Sequence, residues 1–240
     1  MTPLVLVHGF MGGSAQWDGS IAVLKQNCEV ITVDLPGFGA HSKRRPLTSI
    51  GAYADWVIQY LRRRDVGAYH LLGHSMGGMI AQEMALRDEA RITSLVLYAT
   101  GAIGVLPGRF ESIEESKRRA THDGATATAR RISATWFLER EASSGYAHCA
   151  AIACNAQLTA IHAGLDAMQI WSGEQRLTNI KQETLILWGD KDRTYRWPQI
   201  QKLWDTIPVS SLAVVPGCAH AVHAEKPGLF QDVLSDFLRR

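Results

Sequence analysis

Ser75 lies in the run Gly73-His74-Ser75-Met76-Gly77-Gly78, directly after the apolar residues 69–72. A strand that turns sharply into a helix holds its turn residue in strained backbone geometry, and flanking glycines remove the clashes. The hydroxyl then stands at a helix N-terminus, where developing negative charge is favoured. Gly77, Ala81 and Ala85 follow at four-residue intervals, a small-residue face that lets the helix lie close to a sheet. This is the setting of a serine that attacks a carbonyl, and such a serine needs a base and a group to orient that base. Nine histidines are available as base. Imidazole, with an ordinary pKa near 6.5, takes up and returns a proton at neutral pH. Asp190 and Asp192 follow the apolar residues 184–188, and both are open as the orienting acid.

The elements that must position these groups are legible in the hydrophobic pattern. Nearly continuous apolar runs recur at Leu4–Val7, Val30–Val33, 69–72, 95–99, 184–188 and 212–215. Runs without polar alternation suit strands buried on both faces of a parallel sheet. Ile50, Tyr53, Ala54, Val57, Ile58 and Leu61 form one helical stripe. Ile200, Leu203, Trp204 and Ile207 form a second, and Phe230, Val233, Leu234, Phe237 and Leu238 a third. Pro227 falls where the last of these helices begins. The alternation predicts an α/β fold, a mostly parallel doubly wound sheet. Residues 103–180 break the rhythm, with helical patterns at 113–120, 125–137 and 146–171 but no strand pattern. Nearly eighty residues are too many for a loop. The spacing therefore predicts a sheet core, 1–102 with 181–240, and a helical lid inserted over the carboxyl edge of the sheet.

Composition narrows the function classes. Lysine and arginine number 25 against 23 aspartates and glutamates, and 46% of residues are hydrophobic. Neither value points to nucleic acid or a membrane surface. Cys28, Cys149, Cys154 and Cys218 match no zinc or redox spacing. No His/Asp/Glu cluster has metal-ligand spacing and no glycine-rich loop fits a nucleotide, so neither metal nor cofactor is expected. The start lacks a basic region and cleavage site, and no apolar run reaches membrane length, which reads as a cytoplasmic protein.

Taken together, five segments resemble the α/β-hydrolase superfamily, in its order and over nearly the whole chain. The first is His8-Gly9-Phe10, similar to the oxyanion loop, and the second is Asp34-Leu35-Pro36-Gly37-Phe38-Gly39, similar to the D-x-P-G-x-G turn. The Ser75 run matches the nucleophile elbow. Gly189-Asp190-Lys191-Asp192 resembles the acid loop, and Gly217-Cys218-Ala219-His220, with Glu225 and Pro227 beyond, the histidine loop. The match begins at what is the family's third strand. The resemblance implies Ser75 as nucleophile and selects Asp192 as the acid, leaving Asp190 as a turn residue. His220 lies in the loop directly after the last strand and His223 nearer the following helix, so His220 is the expected base. His74 is expected to point away from Ser75, and His8 to hold the oxyanion loop. The backbone N–H groups of Phe10 and Met76 are the implied oxyanion hole.

For the substrate pocket, the side chains of Phe10, Met11 and Met76 compete with a plain core role. Trp136, Phe137 and Trp171 are lid candidates to close the pocket. The lid arginines Arg118, Arg119, Arg130, Arg131 and Arg140 read as a solvated face from which one could bind a carboxylate. The implied reaction is hydrolysis of a small or medium carboxylic ester or lactone. The family's epoxide hydrolases and dehalogenases carry aspartate at the position of Ser75. Its hydroxynitrile lyases carry lysine and threonine where Ala221 and Gly9 stand. C–C bond hydrolases of ring-cleavage products, enol-lactonases and, distantly, a menaquinone-pathway synthase stay open, as does a slow-turnover ligand receptor on this fold.

Overall fold

In the computed structural model, which describes residues 2–107 and 111–239, the apolar runs form one sheet. Its strands are β1 (Leu4–Val7), β2 (Val30–Val33), β3 (Tyr69–His74), β4 (Ile92–Tyr98), β5 (Glu183–Gly189) and β6 (Ser210–Val215). They lie in the order β2-β1-β3-β4-β5-β6, and every neighbouring pair is parallel. The chain steps outward from β1 to β2, then returns to the other side of β1 with β3. Ligands of doubly wound sheets sit at such a reversal, beyond the carboxyl ends of the strands. Here β1 and β3 end in register, Val7 opposite Gly73, so the residues after each emerge side by side.

Alternate strand residues feed two cores. Leu4, Leu6, Leu72, Val96 and Leu187 face Trp17, Leu24, Phe230 and Leu234, the latter on or beside α1 (Asp18–Leu24) and α10 (Pro227–Leu238). Val5, Val7, Leu71, Leu95 and Ile186 face the opposite way. There they meet α2 (Ile50–Arg62), α3 (Met76–Arg87) and α8 (Trp197–Thr206). Each of the three predicted helical stripes supplies buried residues to these contacts. Ser49 caps α2 by accepting from the Ala52 N–H at 3.2 Å. Between α8 and α10 a single turn, α9 (Val222–Glu225), follows the histidine loop.

Between β4 and β5 the chain forms α4 (Ile113–Asp123), α5 (Ala125–Ala134), α6 (Tyr146–Ala153) and α7 (Leu158–Gln169). An isolated bridge pairs Ile103 with Ser172, and Gly173 N–H donates to Ala102 at 2.8 Å, so this segment leaves and rejoins the sheet at neighbouring points. Two boundaries differ from the sequence pattern. The helix expected through Phe137 stops at Ala134, because the backbone of 136–138 is held by loops of the sheet domain. The helix expected over 146–171 is two helices with a break at 154–157, a break that apolar spacing alone does not mark. No helix among the described residues is long and apolar enough to cross a membrane.

Candidate active site

Ser75 occupies the turn between β3 and α3 with φ 57° and ψ −121°, a region that residues with a side chain rarely adopt. The surroundings enforce it. Its N–H donates to Tyr98 O at 2.9 Å, and Thr100 Oγ1 donates to Ser75 O at 2.7 Å. A Cβ on Gly77 would lie 2.4 Å from Val7 O, and one on Gly73 would lie 2.2 Å from Gly77 O. Only glycine allows the helix to start that close to the sheet.

The loop after β1 lies against the serine, where a Cβ on Gly9 would sit 2.8 Å from Ser75 Cβ. His8 fastens this loop. Its Nε2 accepts from Leu35 N–H at 3.0 Å, so Nδ1 carries the proton and donates to Gly9 O at 2.8 Å. Burial pushes His8 down to about 4, which keeps it neutral and able to accept. Gly12 N–H also donates to Gly9 O, at 3.0 Å. In a planar trans peptide the N–H opposes the C=O, so the Phe10 N–H points away from those donors. Asp34 ties the neighbouring turn to the same loop, accepting from Ser14 N–H at 2.8 Å and Ser14 Oγ at 2.7 Å. The Met76 N–H opens α3 directly after the serine.

Asp192 and His220 come together from the loops after β5 and β6. Asp192 Oδ2 accepts from His220 Nδ1 at 2.8 Å, with both side chains almost fully buried. Asp192 Oδ1 accepts from the N–H groups of Thr194 at 2.7 Å and Tyr195 at 3.2 Å, so the carboxylate is fixed before it orients the imidazole. That leaves His220 Nε2 as the nitrogen available for proton transfer. Asp190 turns the other way, accepting from Gly217 N–H at 2.6 Å and pairing with Lys191 at 2.9 Å.

Ser75 and His220 line one cavity. Gly9, Phe10, Gln16 and His74 form its floor with them. Gly104, Leu106, Ile132, Thr135, Trp136 and Met168 come from the segment between β4 and β5, and Arg193, Thr194 and Tyr195 from the acid loop. Of the pocket candidates, Phe10 and Trp136 therefore stand at the cavity. Met11, Met76, Phe137 and Trp171 are corrected to packing positions, since none is among its walls. Met11 and Met76 are fully buried in the core below α3, and Phe137 packs on Cys149 and Ala221. Trp171 donates its indole N–H to Glu83 Oε1 at 2.8 Å. Burial alone would raise Glu83, but hydrogen bonds from Arg176 and Trp171 outweigh it and hold the carboxylate below its usual range.

His74 makes contacts that the sequence did not indicate. Its ring stacks on Tyr98 at 4.4 Å and lies 4.6 Å from the His220 ring. Gln16 Nε2 meets its Nδ1 at 3.2 Å, and its Nε2 meets His220 O at 3.2 Å. Burial holds it neutral, and the neighbouring His220 and His223 push the same way. An uncharged imidazole thus supports the backbone of His220.

Sequence reasoning missed the seam between the inserted segment and the catalytic loops. Arg193 donates to Phe137 O at 2.8 Å and Leu138 O at 3.0 Å. Glu225 accepts from Leu138 N–H through one oxygen and from Ala219 N–H through the other, each at 2.6 Å. Ala221 N–H donates to Trp136 O at 3.0 Å. Residues 136–138 are therefore held by both the acid loop and the histidine loop. The available signal was adjacency, because Arg193 follows Asp192 directly. Among the described residues no group of three or more His, Cys, Asp or Glu side chains is arranged to hold a metal ion.

Comparison with known proteins agrees with this architecture. The model of the alpha/beta hydrolase family matches residues 4–233. A 103-residue stretch is 37% identical to the dihydrolipoyllysine-residue acetyltransferase component of an acetoin cleaving system from Pseudomonas putida, covering 43% of this chain and 28% of that protein. Over 98% of this chain and 94% of the relative, it is 27% identical to a pimeloyl-[acyl-carrier protein] methyl ester esterase from Aeromonas hydrophila. The crystal structure of an enol-lactonase from Burkholderia xenovorans superposes with a TM-score of 0.90 at 21% identity, covering 100% of this chain and 92% of that one. A match over nearly every residue, on a sheet whose strand order and carboxyl-edge loops carry the family's segments, makes this chain a member of the alpha/beta hydrolase family and a hydrolase.

Proposed function

We propose that this protein is a serine hydrolase that cleaves a small or medium carboxylic ester, or the cyclic ester of a lactone, through an acyl-enzyme on Ser75. The observation that carries the reading is the convergence of the strained Ser75 and the Asp192-bound His220 on one largely apolar cavity. Ser75 Oγ attacks the carbonyl carbon and its proton passes to His220 Nε2. The resulting oxyanion accepts from the N–H groups of Phe10 and Met76, and collapse releases the alcohol protonated by His220. Water, deprotonated by the same imidazole, then releases the acid. Asp192 stabilises the imidazolium in both halves. The segment 103–180 acts as the lid, and its apolar residues Leu106, Ile132, Trp136 and Met168 receive the acyl chain. The methyl ester esterase among the relatives supports ester hydrolysis in this family.

Ser75→Ala tests the mechanism. Turnover of a short nitrophenyl ester is expected to fall by roughly 10⁴ or more with the fold intact, since nucleophile, base and acid act as a unit. Turnover within tenfold of the parent protein would rule out the serine mechanism, and a slow-turnover receptor would show little hydrolysis with either protein.

A further inference from the structure

Of the lid arginines, Arg118 is exposed and pairs with Glu115, whereas the other four gather in one place. Arg119, Arg130, Arg131 and Arg140 converge with Arg193 and Arg196 of the acid loop on one open cleft of about 620 Å³, where Glu141 is the only acidic wall residue among the described residues. They arrive from α4, α5, the turn after it and the far side of the seam, so sequence neighbourhood does not account for the gathering. Nor does general basicity, because the whole chain carries only +2. Glu111 pairs with Arg119 and Arg131, each at 3.1 Å, and Asp123 lies 3.9 Å from Arg119, yet among the described residues Arg131 Nε and Nη2 stay buried without a partner. Among the described residues Arg193 bonds only neutral carbonyls. Arg130, Arg140 and Arg196 are exposed and, among the described residues, carry no ion pair. Six arginines held together with fewer counter-charges repel one another, and an anion relieves that repulsion.

The cleft adjoins the cavity at Ser75 and His220, with Thr135, Arg193 and Thr194 in the walls of both. The shared wall residues Arg193 and Thr194 directly precede Tyr195, whose ring stacks on His220 at 5.7 Å. His220 must protonate the leaving group, so the leaving group is the half of the substrate that extends into the cleft. Guanidinium groups match carboxylate and phosphate oxygens bidentately. One carboxylate needs one arginine, whereas a cluster of several suits a doubly charged phosphate. We propose that the cleft binds a phosphate group on the alcohol or thiol half of the substrate, while the acyl half enters the apolar cavity. The inference rests on the serine hydrolase reading and specifies its substrate class.

A matched pair of esters tests it, monobutyrin against 1-butyryl-glycerol 3-phosphate, which differ only in the phosphate. At low salt, kcat/KM is expected to be at least about tenfold higher for the phosphorylated ester, through a lower KM. Near 0.5 M salt most of that advantage should vanish, because exposed charges are then screened beyond ~4 Å. In the triple variant Arg130→Gln, Arg140→Gln, Arg196→Gln the ratio of the two esters should approach one. A long-chain 1-acyl-glycerol 3-phosphate in vesicles distinguishes the source: preference for it assigns the phosphate to a lipid headgroup, and preference for the short ester to a soluble metabolite. Titration with inorganic pyrophosphate, in Ser75→Ala as well as the parent, reads the cleft without catalysis. If neither ester turns over but pyrophosphate binds and the triple variant loses it, the hydrolase reading fails and the anion site stands. If both esters turn over alike and pyrophosphate fails to bind at low salt, the cleft proposal is overturned and the hydrolase reading stands.

Discussion

At the scale of single residues, the site is a set of bonds that leave little freedom. Two aspartates lie two positions apart, and their hydrogen bonds assign them different work. Asp192 faces His220, whereas Asp190 closes the turn onto Gly217. Asp192→Asn removes the charge that stabilises the imidazolium and allows the wrong tautomer, so kcat should fall by ~10³ to ~10⁴. Asp190→Asn keeps an acceptor toward Gly217 and should change kcat by less than about tenfold. Steady-state rates on one ester check both, and the reverse ranking would move the acid to Asp190. The motif spacing left both aspartates open, and only the resemblance chose between them. The part of His74 was not legible at all, because a ring that packs across the sheet edge on Tyr98 and His220 leaves no trace in local sequence.

At the scale of elements, the inserted segment has two kinds of attachment, and its tryptophans report on each. Trp136 stands at the cavity, on backbone pinned to the histidine loop. Trp171 anchors the far end of the insertion to α3 through Glu83. Trp136→Ala should therefore shift the ratio of rates on short and long acyl esters, since roughly 25 cal/mol per Å² of apolar contact is at stake for the chain it covers. Trp171→Ala should leave that ratio unchanged and lower unfolding stability by about 3 to 5 kcal/mol, read by denaturant titration. A shifted ratio in Trp171→Ala with parental stability would contradict its assignment to packing. Sequence named both tryptophans as one group because helical spacing reports only that a residue is apolar. The partner of the indole N–H, eighty-eight positions away, separates them.

For the whole molecule, buried histidines make stability depend on pH. His8 is held at about 4 and His223 at about 3 by burial, with His220 adding to the effect at His223, and His74 lies well below 6.5 for the same reason. All three titrate near 6.5 once unfolded. The unfolded chain therefore takes up protons first as pH falls, so the stability these groups confer is complete above about 6.5 and is lost toward the folded values near 4 and 3. Each can remove up to about 1.4 kcal/mol per pH unit within that window. The urea midpoint should be flat above about pH 7 and fall steeply toward pH 5, with a shallower fall in His223→Gln. A midpoint constant down to pH 5 would show that these rings are not held neutral.

What the amino-acid sequence determined alone was the class of the fold and the set of candidate chemical groups. Both are local properties: apolar runs mark strands buried on two faces, and glycines around Ser75 mark a turn that only they can form. The tertiary structure decided everything that depends on two distant segments sharing one place. It sent Met11, Met76, Phe137 and Trp171 into packing, brought His74 beneath His220, fastened residues 136–138 to both catalytic loops through Arg193 and Glu225, and gathered six arginines beside the cavity. The physical reason is that periodicity reports how much of a side chain is buried, while hydrogen bonds, ring contacts and like charges brought together depend on what it is buried against.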